Sequence, residues 1–299
     1  MATIDTLVKD IESLFDGGGV LDDTNLGRFA EALTENFTKR FKRYGEVQGK
    51  SKLYLSNVGK PLRQLWYQIK SDAPREELRA QKKLNFLFGD ILEDLLLLLA
   101  VEAGHEVTFF QHEVELDGIR GRIDCFIDGC LVDVKSASSR SFDKFRDGTL
   151  RGNDPFGYIA QLAGYSTALG GVDGYFLVID KQFGHVCLLR IPKEELEAYN
   201  VRGRIVDARA ALDKDTPPVD LCHGGPVPDG VSKTAPFGNG NFVLPTGCSY
   251  CDHKHSCWAQ QGVKLRTFIY ANGPKFFTTV KSLPKVIEVT KQEEDNSHG

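Results

Sequence analysis

IRGRIDCFIDGCLVDVKSA, residues 119–137, is the stretch whose reading decides the fold. At its centre stands Asp128-Gly129, a dipeptide that tight hairpins favour because both central turn positions need positive φ. With these two residues at the turn, pairing runs Ile127 with Cys130, Phe126 with Leu131, Cys125 with Val132 and Asp124 with Asp133. Directly opposed side chains share one face with Cβ atoms about 4.5–5.5 Å apart, and two like charges there are destabilising unless something offsets them. A divalent cation is the natural remedy. Alternation along the strand sends Lys135 to the same face as Asp133 and Val134 into the opposite layer. The sequence therefore specifies a carboxylate pair with an ammonium beside it.

Outward from the hairpin, residues 106–137 read as a β-meander with a second turn at Asp117-Gly118. A helix is expected over about 154–169, then the strands GYFLVID and HVCLLRI, then a charged helix from Lys193 to about Leu212. Upstream, Ile4, Leu7, Val8, Ile11, Leu14 and Phe15 recur at helical spacing. Leu26, Phe29, Ala30, Leu33, Phe37 and Phe41 repeat the pattern behind the capping candidates Asp23 and Thr24. From Arg75 to Glu102, Leu84, Leu87, Phe88, Ile91, Leu92, Leu95 and Leu98 mark a strongly buried helix. Residues 215–247 are rich in Pro and Gly and lead to a cysteine cluster, and the tail KQEEDNSHG is expected to be disordered. The organisation expected is a helical N-terminal region over 1–50, a core over 51–265 that includes the cysteines, and an extension over 266–299.

The chain has 299 residues, 41% of them hydrophobic and 26% charged, which is the make-up of a globular protein. Its longest uncharged apolar run, Leu95 to Val101, is far below the roughly 20 residues of a bilayer span, and the amphipathic N-terminus is unlike a signal peptide. A cytoplasmic protein with no membrane partner is expected. Thirty-seven basic and forty-one acidic residues give a net charge of −4, which excludes polyanion binding by the whole surface and leaves room for a local basic cleft. Seven cysteines without a secretion signal read as thiols or metal ligands before disulfides.

A carboxylate pair with a neighbouring ammonium suits phosphodiester hydrolysis. Hard oxygen ligands hold Mg²⁺ against the scissile phosphate, and a lysine stabilises the attacking hydroxide or the developing charge. Glu93 is the acidic residue best placed to join them: it follows Gly89 by one helical turn, in an apolar helix where a carboxylate among leucines needs a reason. The plainer alternative is a surface Asp pair with an ordinary strand lysine and a solvent-facing Glu93. On the following helix, Tyr158, Gln161 and Tyr165 share one face, at spacings of three, four and seven.

In the order Gly89-x-x-x-Glu93, Gly121-x-x-Asp124, Asp133-x-Lys135 and Gln161-x-x-x-Tyr165, the chain resembles the RecB-like branch of the PD-(D/E)XK nuclease superfamily over about residues 55–260. The resemblance implies an α/β, restriction-endonuclease-like core, a mixed central sheet flanked by helices. It implies Mg²⁺ or Mn²⁺ held by Asp124, Asp133 and the Val134 carbonyl, with Glu93 binding metal or water. Lys135 would orient the nucleophile, and Gln161 and Tyr165 would position substrate or lysine. The implied activity is a metal-dependent DNA nuclease, an exonuclease or single-strand-active enzyme in recombination, repair or DNA degradation. The implied partner is DNA with single-stranded or double-stranded ends, in a bacterial or virus-infected bacterial cell. No sequence feature names a protein partner. The alternative is a nucleic-acid-binding or assembly module that keeps the fold without the chemistry, although all four motifs are chemically intact.

Cys248-x2-Cys251-x5-Cys257 is close-set, and thiolates at such spacing chelate soft or borderline metals. The pattern resembles the C-terminal cysteines of iron–sulfur-bearing RecB-like nucleases, the CRISPR-associated adaptation nuclease and helicase-linked enzymes among them, in which a fourth cysteine lies upstream of the nuclease motifs. Here the matching segment SNVGKPLRQLWY has Lys60 or Leu62 where a cysteine is expected. A fourth ligand is left among Cys222, His253 and His255, and the metal between a [4Fe–4S] cluster and Zn²⁺. Either would clasp the loop-rich C-terminal segment. Basic residues at 39–52, together with Arg140, Lys144, Arg146 and Arg151 and the aromatics Trp66, Tyr67 and Phe142, are candidates for tracking a strand by phosphate contact and stacking.

Overall fold

Asp117, Gly118, Asp128 and Gly129 adopt φ of 49°, 75°, 50° and 76°, so both expected tight turns form. A computed structural model describes residues 2–289 apart from 18–19, 47–48, 74, 77–78, 109–111, 232 and 272. The tail expected to be disordered lies outside the described residues. The chain forms two units, Met1–Gly59 with Leu78–Asp207, and Lys60–Glu77 with Ala208–Gly299.

In chain order the first unit holds α1 (Leu7–Asp16) and α2 (Asp23–Gly45), while α3 (Leu62–Ile69) belongs to the second. The first unit resumes with α4 (Ala80–Glu102), β1 (Val107–Thr108), β2 (Glu113–Leu116), β3 (Ile119–Arg122), β4 (Cys125–Ile127) and β5 (Cys130–Ala137). It continues through α5 (Ser139–Arg146), α6 (Tyr158–Ala168), β6 (Gly174–Asp180), β7 (Val186–Ile191), α7 (Lys193–Glu197) and most of α8 (Val201–Leu212). The main sheet has the order β1-β4-β5-β6-β7, with β5 and β6 parallel and the other pairs antiparallel. β2 and β3 form a separate hairpin. The β4–β5 register pairs Ile127 with Cys130, Phe126 with Leu131 and Cys125 with Val132, as the turn dictates.

Strand alternation splits the core. Leu131, Phe176 and Val178 face α5, α6 and α8 through Phe142, Phe145, Ile159, Leu162 and Ile205. Val132, Val134 and Leu177 face α1 and α4 through Leu7, Ile11, Leu96, Leu99 and Ala100. The result is an α/β unit with a mixed sheet between two helical layers.

Several expectations differ from the structure. Asp22, not Asp23 or Thr24, caps α2, its carboxylate accepting from the N–H groups of Thr24 and Asn25 at 2.9 and 3.1 Å. The helix expected from Arg75 begins at Ala80, and the Glu76 N–H instead donates to the Asp252 carbonyl at 2.9 Å. Only the second half of α4 is core: Leu84 is 64% and Phe88 42% exposed, whereas Leu96 and Leu99 are buried. The charged helix over 193–212 is broken into α7 and α8, with Asn200 between them at a φ of 44°.

The second unit continues with β8 (Val227–Pro228), β9 (Phe242–Val243), α9 (Thr246–Ser249), α10 (Lys254–Ala259), β10 (Arg266–Tyr270), β11 (Gly273–Thr279) and β12 (Glu288–Val289). Its antiparallel sheet has the order β12-β10-β11-β9-β8. Trp66, Tyr67, Leu244, Cys248, Cys257, Trp258 and Phe276 form its core. Among the described residues, no helix is long and apolar enough to cross a membrane.

Candidate active site

β4 begins at Cys125, so Asp124 lies just beyond the ladder, and its carboxylate stands in for a strand carbonyl: the Val134 N–H donates to Asp124 Oδ2 at 3.0 Å. On β5, Asp133 is 1% exposed, and Lys135 Nζ sits 2.5 Å from its Oδ2 and 3.9 Å from Asp124 Oδ2. The Lys135 ammonium also donates to the Val134 carbonyl at 3.2 Å. Asp124, Asp133 and Lys135 are thus brought together as the hairpin register requires.

Gln161 and Tyr165 arrive from α6. Gln161 Nε2 donates to Asp133 Oδ1 at 3.0 Å, and the Tyr165 hydroxyl is within hydrogen-bonding reach of Gln161. Tyr165 is buried, and burial lifts its phenol well above its ordinary value. The motif glycines make room for these approaches. A Cβ on Gly121 would come within 2.9 Å of Leu55 Cβ and of Tyr165 Cε1, and one on Gly89 would stand 3.3 Å from Ser136 Oγ. Gly89 thus lets α4 pass close to β5, one turn before Glu93.

The electrostatics are those of three carboxylates and one amine. Burial pushes Glu93 up to about 8, with Lys135 pulling the other way and Asp124 and Asp133 adding repulsion. Asp133 is likewise raised, chiefly by burial. Burial works against charge on Lys135, but Asp133, Asp124 and Glu93 outweigh it and keep the amine protonated. Asp133 Oδ2 is buried and accepts no well-directed hydrogen bond, although the Lys135 ammonium lies beside it. Such an oxygen, with the other carboxylates and the Val134 carbonyl, is a donor set of the hard kind that suits Mg²⁺ or Mn²⁺. Among the described residues, no three His, Cys, Asp or Glu side chains already stand in metal-holding array; here the Lys135 ammonium occupies the space between Asp124 and Asp133.

Glu93, Asp124 and Val134 also line a cleft of about 740 Å³ whose other walls come from α2, α4, Val107 and Arg122. Sequence reasoning missed two features here. Lys135 Nζ lies 5.8 Å from the Tyr158 ring centroid, and Asp90 and Asp94 flank Glu93 on α4 and engage α2 through Arg40 and Asn36. The second was visible as two acids four residues apart around Glu93. Of the strand-tracking candidates on α5 and after it, Lys144, Arg146 and Arg151 are engaged locally. Lys144 donates to the Asn153 carbonyl, Arg146 pairs with Asp143 and Asp147, and Arg151 pairs with Glu195. Phe142, Trp66 and Tyr67 are buried core residues, closed to stacking with bases.

In the second unit, Cys222, Cys248, Cys251 and Cys257 line one small cavity of about 10 Å³, together with Gln64, Tyr67 and Trp258. Burial, reinforced by the neighbouring cysteines, raises Cys222 to about 12 and Cys248 to about 11. The upstream segment without a cysteine does reach this place: Gln64 donates its N–H to Cys222, and Lys60 lies within electrostatic range of Cys251. Arg63 Nε donates to Cys257 Sγ at 3.0 Å. His253 is buried with neither ring nitrogen hydrogen-bonded and stacks on Tyr67, ring centroids 5.7 Å apart. His255 packs edge-on to Phe276. Of the three candidates for a fourth ligand, Cys222 is the one on the cavity wall.

No protein-family model and no curated protein matches the chain. Among solved structures, it is similar to an alkaline exonuclease from Laribacter hongkongensis (16% identity, TM-score 0.33) and a phage-related exonuclease from Haemophilus somnus 129PT (16%, 0.38). Each similarity covers 54% of this chain and 93% of the other. It is also similar to SSO0001, at 15% identity and a TM-score of 0.36, over 75% of this chain and 93% of that one. Two of these three similar proteins carry the name exonuclease.

Proposed function

We propose that the chain is a metal-dependent DNA nuclease of the PD-(D/E)XK type, an exonuclease or single-strand-active enzyme. The observation that carries this reading is the Lys135 ammonium between Asp133 and Asp124, 2.5 and 3.9 Å from their carboxylate oxygens, with Glu93 drawn into the same electrostatic cluster. Asp124, Asp133, the Val134 carbonyl and Glu93 would hold Mg²⁺ or Mn²⁺. When bound, such an ion polarises a phosphoryl oxygen and makes water a nucleophile at neutral pH.

The chain's own residues supply the rest. Lys135, kept protonated by its carboxylate neighbours, places a positive charge where negative charge builds on the phosphate, the electrostatic stabilisation that weighs most in such reactions. Gln161 fixes the Asp133 carboxylate through Oδ1 and leaves Oδ2 toward Lys135. Tyr165, buried on the same face of α6, would steady Gln161. Asp124 spans the Val134 N–H and the Lys135 ammonium, tying the end of the hairpin to the chemistry.

At the cysteines, the thiols of Cys222, Cys248, Cys251 and Cys257, which line one small cavity, would hold a [4Fe–4S] cluster or a tetrahedral Zn²⁺. Either metal would clasp Cys222 to the 248–257 segment and take no part in hydrolysis, because thiolates are poor ligands for hard cations.

Incubation of linear and circular DNA with Mg²⁺, Mn²⁺ or EDTA tests the nuclease reading. Degradation is expected with either metal and none with EDTA. Asp133→Ala and Lys135→Ala should each abolish nucleotide release while DNA binding persists. Release at the wild-type rate by either variant would refute the site.

A further inference from the structure

Arg63, on α3, is 3% exposed, and a guanidinium so deeply placed is almost always matched by an anion. Its hydrogen-bond acceptors are of another kind. Nε donates to Cys257 Sγ at 3.0 Å, Nη1 to the Pro218 carbonyl at 2.5 Å, and Nη2 to the Cys257 carbonyl and to Gln260 Oε1, both at 3.3 Å. The Tyr67 ring centroid, 5.6 Å from Cζ, adds a neutral aromatic face. Among the described residues no carboxylate pairs with Arg63. A buried charge left unmatched is strongly destabilising. Of the acceptors that Arg63 meets, only the Cys257 sulfur can carry a full negative charge.

The other thiols of the cavity receive donors too. The Gln64 N–H reaches Cys222, the Trp258 indole N–H reaches Cys248, and the His253 backbone N–H reaches Cys251. Each sulfur on the cavity wall therefore accepts an N–H bond, from backbone, indole or guanidinium. A neutral thiol is a weak acceptor with little use for such a partner, whereas a metal-bound thiolate holds lone pairs that outer donors orient and stabilise. Two of these donors, Arg63 and Gln64, belong to α3, which carries no cysteine of its own. Lys254 also lines the cavity, but its ammonium is taken by Glu76 and by the Cys251 carbonyl at 3.2 Å. Lys60 feels the charges of both Cys251 and Asp252. Arg63 is the cation that meets a sulfur directly.

Resting on the reading of the cysteines as metal ligands, we propose that α3 joins the metal centre through an outer shell of N–H···S bonds, in which Arg63 sets positive charge against the excess negative charge of the thiolates. Zn²⁺ bound by four thiolates is left net negative, and so is a [4Fe–4S] cluster in the same frame, so a cation held on one sulfur favours the loaded site. Arg63 is a positioning residue: it touches a ligand and not the ion.

The test is a titration of Zn²⁺ into the reduced, metal-stripped full chain against a chromophoric chelator. Arg63→Met, which keeps much of the side-chain length and removes its charge and donors, should weaken Zn²⁺ affinity by about 10–100-fold, the cost of losing an outer-shell partner. A tenfold loss also trims the thermal stabilisation conferred by excess Zn²⁺ by about 1.4 kcal/mol. Arg63→Lys, which keeps the charge without the Nε–H, should fall between Arg63→Met and the wild type, and it serves in place of Arg63→Met if that variant does not fold. Trp258→Phe removes a neutral donor from Cys248 and should weaken affinity less than Arg63→Met, because charge-assisted hydrogen bonds are roughly twice as strong as neutral ones. Arg266→Lys, at an ion pair with Glu288, should match the wild type. With Co²⁺ as the probe, the sulfur-to-metal charge-transfer band of the Arg63 variants should move to longer wavelength, since a hydrogen bond lowers the energy of the sulfur lone pair it engages. An arginine that only ties backbone together would lower Tm equally with and without metal and leave affinity and band where they are. That result would overturn the outer shell and leave the metal site standing. No uptake of Zn²⁺ or Co²⁺ by the wild type would remove the metal site, and the role of Arg63 with it.

Discussion

Glu93 carries a carboxyl whose charge the folded chain disfavours. Its carboxyl is raised to about 8 chiefly by burial, so between about pH 4.5 and 8 the folded state keeps a proton that the unfolded state has released. Stability of the metal-free protein must therefore fall as pH rises through that window, with the loss complete above about 8. Glu93→Gln removes the titration. In EDTA at pH 8.5 the variant should melt several degrees above the wild type, since about 1 kcal/mol moves Tm by roughly 2–4 °C at this size, and near pH 4 the gain should vanish. Equal melting temperatures at pH 8.5 would show that no buried charge is relieved. The acid was legible in the sequence because it interrupts a leucine-rich helix. Its burial was not, because that depends on what β5 and Lys135 bring against it.

The elements show where pattern suffices and where it does not. The β4–β5 register follows from two turn residues and a strict alternation, both local, and the structure reproduces it for the three pairs from Ile127–Cys130 to Cys125–Val132, whereas the fourth expected pair, Asp124 with Asp133, falls outside the ladder. The outer half of α4 defeats the same reasoning. Leu84 and Phe88 keep the helical period yet are exposed, because a period says which side chains share a face and not whether another layer covers it. Asn200 breaks the helix expected over 193–212 by taking positive φ, which asparagine tolerates and no period reveals. Close approach between elements is equally silent in sequence. Gly121 sits where a Cβ would meet Leu55 and Tyr165 at 2.9 Å. Gly121→Ala should accordingly cost about 1–3 kcal/mol of stability, read as a lower urea midpoint, and should slow nucleotide release by displacing Tyr165. An unchanged midpoint would mean that β3 and α6 have slack between them.

Over the whole molecule, the three close-set cysteines were readable from spacing alone, but spacing could not choose their companion, Cys222, from the candidates Cys222, His253 and His255. Cys222 lies far from them in sequence and reaches the cavity only because the Pro- and Gly-rich stretch folds back beneath α3. If the four thiols hold one ion, metal analysis should find about one zinc per chain. Cys222→Ser should lower that content and the melting temperature together, and Leu212→Ala, outside the cavity, should leave the metal in place. Iron with a visible chromophore would assign the cavity to a cluster, and no metal in either protein would leave it as buried thiols. The antiparallel sheet of the second unit was not foreseen, since its strands β8, β9 and β12 span two residues each and carry no measurable period.

The two units are interleaved along the chain, since residues 60–77 fold with 208–299 although they are made between two parts of the other unit. Arg63 and Trp66 reach Cys257 and the Lys214 carbonyl across some hundred and fifty to two hundred positions. Neither body can then be inherited as a cassette. A gene fusion cut at any single point severs one of them, so recombination can trade this protein's parts only by carrying both together, and a ribosome must finish most of the polypeptide before the cysteine-bearing body has its first helix matched.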